Sequence, residues 1–116
     1  MDISKIQNQL KKFAIERDWE QFHTPKNLSM ALSVEASELV EIFQWLRAEE
    51  SISPDKKQID AIKSEVADIA MYLLHFCSIL AIDIEEAIES KLEKNAEKYP
   101  VNLSKGNAQK YNQRED

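Results

Sequence analysis

The stretch "LSVEASELVEIFQWL", Leu32–Leu46, decides the fold. With Leu28 upstream, its apolar positions are Leu28, Leu32, Leu39, Ile42 and Leu46. Steps of three, four and seven mark one face of a helix, and such a stripe faces a core. Glu35 falls inside the stripe, midway between Leu28 and Ile42, and Glu38 lies on its flank. A carboxylate against a core is costly unless something compensates its charge.

Outward from this stretch the same period recurs. A first helix is predicted from Ile3 to Asp18, with Ile3, Ile6, Leu10, Phe13 and Ala14 on one face. The linker "WEQFHTPKN" follows, and the second helix is predicted from Leu28 to Glu49. "SISPD" breaks the pattern, and Pro54 or Asp55 opens a third helix ending near Leu80. Its stripe is Ile59, Ile62, Val66, Ile69, Leu73, Phe76 and Leu80. After Val66 it is apolar almost all round, which predicts the central, most buried helix. Asp83 is placed to N-cap a fourth helix, with Glu85 and Glu86 in its first turn and Pro100 marking its end. The expected architecture is an all-α four-helix bundle over residues 1–100, followed by a polar, irregular tail over 101–116.

Composition agrees. The chain has 116 residues, 43% apolar and 31% charged, which suits one soluble domain with a modest core. A lone glycine, Gly106, excludes Gly-rich phosphate loops. A net charge of -6 argues against a nucleic-acid surface, although a divalent cation lets an acidic protein bind anions. The single Cys77 permits no internal disulfide. "MDISKIQNQL" lacks the features of a signal peptide. The most apolar run, Val66 to Ile82, contains Asp68 and His75 and is short for a membrane span. A cytoplasmic protein without a membrane partner is expected.

The third helix repeats the oddity of the second, with Glu65 and Asp68 three apart beside its stripe. Each helix thus carries an acidic pair at a spacing that places both carboxylates on one side. If the helices pack antiparallel, the four acids can converge and then need a cation. All-oxygen ligands favour Mg²⁺, or Mn²⁺, over Zn²⁺. An acid on a helix is usually only solvated, and Glu41, Glu49, Glu50 and Glu93 read that way. A di-iron bundle needs Glu-x-x-His motifs, and neither His23 nor His75 stands three after a Glu.

On the fourth helix, Lys91, Asn95 and Lys98 form a row at i, i+4, i+7 that suits a polyphosphate beside a metal. Lys105, Lys110 and Tyr111 in the tail are further candidate phosphate contacts. Trp19, Phe22, His23, Trp45 and Tyr72 are the aromatic group. Rings alongside the acids can sandwich a base, and Phe22 reads as packing.

Three segments, "ERDWEQFHTPKNLSMALSVEASELVEIFQW", "EVADIAMYLL" and "KLEKNAEKYP", resemble the MazG-like all-α nucleoside triphosphate pyrophosphohydrolases. The dCTP pyrophosphatase branch is the nearest, and the likeness covers roughly residues 10–111. Glu35 and Glu38 match the family's Glu-Glu-x-x-Glu motif, and Glu65 and Asp68 its Glu-x-x-Asp motif, which together bind Mg²⁺. The leading Glu is Val34 here, a departure shared by the dCTP branch. The resemblance implies that Trp19, His23, Trp45 and Tyr72 line a base and sugar pocket. It places Lys91, Asn95, Lys98 and Tyr99 around the phosphates. It implies cleavage between the α- and β-phosphates, nucleotide-pool house-cleaning, and assembly as homodimers or tetramers made of dimers; for the mechanism, Glu35 or Glu38 is expected to orient or deprotonate the attacking water. The competing expectation is a non-catalytic helical nucleotide-binding or interaction module.

Overall fold

The computed structural model describes residues 1–108. Its elements are α1 (Ile3–Glu16), a 3-10 turn (Glu20–Phe22), α2 (Pro25–Phe43), α3 (Ala48–Ser51), α4 (Lys56–Ile79), α5 (Ile84–Lys98) and α6 (Val101–Ser104). There is no strand among the described residues.

Short polar side chains start the long helices by satisfying N–H groups that lack intrahelical partners. Asp2 accepts from the Lys5 N–H at 3.0 Å. Thr24 accepts from Asn27 N–H at 3.2 Å with Pro25 in the first turn. Asp55 and Gln58 form a reciprocal capping box, at 2.8 and 2.9 Å. Asp83 accepts from Glu86 N–H at 3.1 Å.

The chain forms two compact units, Met1–Ile82 and Asp83–Asp116. In the first, α4 packs along α2 and against α1. The buried side chains are Ala14 on α1, Leu28 on α2, and Leu74, His75 and Cys77 on α4. Most of them thus come from α4, as its all-round apolar pattern predicts. Gln7 donates to the Leu74 carbonyl at 2.9 Å and ties α1 to α4. The second unit holds α5 and α6. No single helix among the described residues is long and apolar enough to cross a membrane.

The second helix ends at Phe43, not at Glu49. Glu50 accepts the Arg47 backbone N–H at 2.8 Å and its guanidinium Nε at 3.2 Å. That local pairing holds Arg47 extended, at φ -73° and ψ 158°, and starts the separate turn α3. The tail is also less irregular than expected, since Val101–Ser104 is helical.

Two helices end without glycine. After α1, Asp18 takes φ 53°, while Trp19 N–H reaches the Ala14 carbonyl at 2.9 Å and Asp18 N–H reaches Ile15 at 3.1 Å. After α4, Ala81 takes φ 54°, with Ile82 N–H to Cys77 at 2.8 Å and Ala81 N–H to Ser78 at 3.3 Å. Both are Schellman turns, which favour glycine at the left-handed position. Alanine there pays a left-handed penalty of about 1–2 kcal/mol, against about 0.4–1 kcal/mol of unfolded-state entropy that glycine would add. Ala81→Gly is therefore expected to stabilise the protein by about 0.5–1 kcal/mol and raise Tm by a few degrees. A calorimetric scan showing a lower Tm would contradict this.

Candidate functional site

The packing of α4 on α2 brings three carboxylates together. One oxygen each of Glu35, Glu38 and Glu65 lies within 4.8 Å of the others, and all three side chains are half-buried. Oε2 of Glu35 and Oε2 of Glu65 are buried without a hydrogen-bond partner. A buried oxygen left unpaired is expensive, and a cation would satisfy it. These residues therefore form a group able to hold a divalent metal, and hard oxygen donors suit Mg²⁺ or Mn²⁺. Asp68, one turn beyond Glu65, lies outside the closest group but adds its negative charge to the environment of Glu35.

The crowding changes protonation. The Glu35 carboxyl is held above its ordinary value of 4.5, first by its contact with Glu65 and then by burial. Glu38 is raised too, chiefly by its contact with Glu35 and by that residue's charge. A carboxyl whose folded value is raised gives stability that is fully present below its unfolded value. That stability is lost as pH rises through the folded value. Metal-free protein is thus expected to lose thermal stability as pH climbs from about 4.5 through the raised range. Glu35→Gln should flatten that loss and raise Tm near neutral pH. Melting curves in chelator across this range check it. Parallel profiles for wild type and variant would contradict it.

Beside the carboxylates is a cavity of about 430 Å³, lined by Trp19, His23, Asp68, Tyr72 and His75 together with apolar side chains of α1. Local structure builds this wall. The turn at Asp18 redirects the chain so that Trp19 packs edge-on to Phe13, with centroids 5.8 Å apart. Arg17 sits over the Phe13 ring, its guanidinium carbon 3.5 Å from the centroid. The Asn27 amide donates to the Phe22 carbonyl at 2.9 Å and braces the loop bearing His23. Trp19 and His23 then meet edge-to-face at 6.4 Å, and His23 and His75 at 4.9 Å.

The sequence-predicted residues divide accordingly. Glu35, Glu38 and Glu65 converge, and Asp68 joins Trp19, His23 and Tyr72 at the cavity. Trp45 does not line that cavity. It lies beyond the end of α2 and is 88% exposed. Lys91, Asn95 and Lys98 lie on α5, and Tyr99 is its C-cap, all in the second unit. Lys105 caps α6, while Lys110 and Tyr111 lie outside the described residues. The residue that sequence reasoning missed is His75. Its signal was present, because Glu65, Asp68, Tyr72 and His75 follow at steps of three, four and three along one face of α4.

The chain is 42% identical over 103 residues to dCTP pyrophosphatase 1 of Mus musculus. It is 38% identical over 104 residues to dCTP pyrophosphatase 1 of Homo sapiens. Each match takes in 86% of this chain, and the chain spans 60% of the length of these relatives. Among solved structures, a pyrophosphatase from Archaeoglobus fulgidus superposes with a TM-score of 0.81 at 38% identity. That match covers 86% of this chain and 94% of the other. The MazG-like family model matches residues 30–113, and the chain belongs to the MazG-like family.

Proposed function

We propose that this protein is a nucleoside triphosphate pyrophosphohydrolase, converting dCTP or a related pyrimidine deoxynucleotide to the monophosphate and pyrophosphate. The observation that carries the reading is the closure of three carboxylates to within 4.8 Å, near a ring-walled cavity that Asp68 also lines. The names of the dCTP pyrophosphatase 1 relatives and of the Archaeoglobus fulgidus pyrophosphatase support it.

Glu35, Glu38, Glu65 and Asp68 hold the metal in this reading. Bound Mg²⁺, or Mn²⁺, supplies the positive charge that neutralises the triphosphate and polarises its α-phosphorus. Trp19, His23 and Tyr72 receive the nucleoside and exclude water from it. Glu35 or Glu38 orients the attacking water and accepts its proton. Lys91 and Lys98, with Asn95 and Tyr99, bind the phosphates and stabilise the departing pyrophosphate. Exposed apolar side chains on α2 and α4, among them Val34, Val40, Val66 and Leu73, favour a homodimer or homotetramer. Such an enzyme would clear surplus or non-standard nucleotides from the cytoplasm.

Trp45 is proposed as a further ring against the base. Base stacking is worth about 1–3 kcal/mol, so Trp45→Ala should raise KM by roughly tenfold with a smaller effect on kcat. Because Trp45 is so exposed, Tm should hardly change. Steady-state kinetics with an unchanged KM would overturn this stacking role for Trp45.

The test of the whole reading is a panel of all common NTPs and dNTPs with Mg²⁺, assayed for pyrophosphate. Release from dCTP is expected. No release from any nucleotide would leave the non-catalytic helical module.

A further inference from the structure

His75 is 8% exposed, and its Nε2 lies 3.1 Å from Nδ1 of His23. Its other ring nitrogen, Nδ1, is buried without a hydrogen-bond partner. The pair lies between two cavities. One holds Asp68 and Tyr72, and the other, of about 380 Å³, is lined by Lys11, Glu20 and Ser78. Nε2 of His23 makes no hydrogen bond within the described residues, although the ring lines both cavities.

Two ring nitrogens at this distance share one proton, so one donates and the other accepts. If His23 Nδ1 carried it, neutral His75 would place its own proton on Nδ1. That would bury an N–H with no acceptor, the kind of orphan folded proteins most avoid. If His75 Nε2 carries it, the orphan is a bare lone pair, which is tolerated better. A doubly protonated His75 is disfavoured, since burial and then the charge of His23 hold its imidazole below the ordinary value, against an opposing pull from Glu20. The direction of the bond fixes the tautomer of His23, because a ring that accepts at Nδ1 carries its proton at Nε2.

We propose that His75 is a positioning residue: its Nε2–H donates to His23 Nδ1 and holds His23 as an Nε2–H donor for an acceptor oxygen or nitrogen on the nucleoside part of the substrate. This rests on the pyrophosphohydrolase reading for the identity of the ligand, but not for the bond itself. The edge-to-face packing of Trp19, His23 and His75 fixes the ring plane, and the hydrogen bond fixes which nitrogen carries the proton.

The chain has two histidines, so long-range ¹H–¹⁵N correlation of the ligand-free protein reads both tautomers without ambiguity. The expected spectrum shows both rings protonated at Nε2, with His23 Nδ1 as a hydrogen-bonded acceptor. A proton on His23 Nδ1 or on His75 Nδ1 would overturn the proposal. The kinetic arm compares His75→Phe, which keeps the ring edge but no donor, with His75→Gln, whose amide N–H can replace the imidazole N–H. His75→Phe should raise KM for dCTP about fivefold with kcat nearly unchanged, and His75→Gln should return KM to near the wild-type value. Equal KM for both variants would overturn the role in binding. Failure of the hydrolase reading would appear instead as no turnover in wild type, with the tautomer result still readable.

Discussion

Glu38→Gln and Asp68→Asn are each expected to lower kcat by roughly a hundred- to a thousandfold while the protein stays folded, on the scale of losing one charged partner of a reacting group. Their positions make the comparison informative. Glu38 belongs to the group that closes to 4.8 Å, whereas Asp68 stands beside it and lines the cavity. Glu38→Gln should therefore weaken Mg²⁺ binding most directly. Asp68→Asn should weaken it as well and raise KM for the nucleotide. Neither change removes apolar packing, and Glu38→Gln relieves a crowded negative charge, so metal-free Tm should hold or rise. Calorimetric Mg²⁺ titration beside steady-state kinetics reads both effects. Normal turnover of both variants at saturating Mg²⁺ would dismantle the carboxylate site.

Base selectivity is the second large effect. For dCTP, kcat/KM should exceed that for dATP and dGTP by about tenfold or more. The ring wall of Trp19, His23 and Tyr72 is braced by Phe13 and by His75, so its spacing is set before the ligand arrives. A two-ring base needs more room between those rings than a one-ring base, and displacing packed rings is costly. Discrimination among dCTP, dTTP and dUTP should be weaker. In this reading ring contacts and shape hold the base, and contacts of that kind separate near-isosteres by only about a hundredfold at most. A purine nucleotide as best substrate would mean that this cavity does not receive the base.

Much of this arrangement is legible in one sequence because helical periodicity and acid spacing are local signals. Glu35 inside an apolar stripe, Glu38 on its flank and Glu65 beside another predict the convergence that α2 and α4 create, with Asp68 left outside the closest group. The turns were hidden for an equally physical reason. The scarcity of glycine suggests few tight turns, yet Asp18 and Ala81 take left-handed backbone where glycine would be expected, so no residue type announces them. The end of α2 was hidden because Glu50 sets it by capturing the Arg47 N–H from three residues ahead. That ending moved Trp45 off the helix and out to solvent. Spacing puts His75 on the same face of α4 as Glu65, Asp68 and Tyr72, but its partner His23 is 3.1 Å away across 52 positions, a contact that spacing cannot reveal.

Hydrolysis of dCTP in ¹⁸O-labelled water, followed by mass spectrometry of the products, tests most directly whether these carboxylates direct water at the α-phosphorus. Attack there must place the label in dCMP and leave pyrophosphate unlabelled. Labelled pyrophosphate with unlabelled dCMP would locate the attack on the β-phosphorus. Release of dCDP with inorganic phosphate would show a different reaction altogether, and either result would contradict the assignment of Glu35 and Glu38.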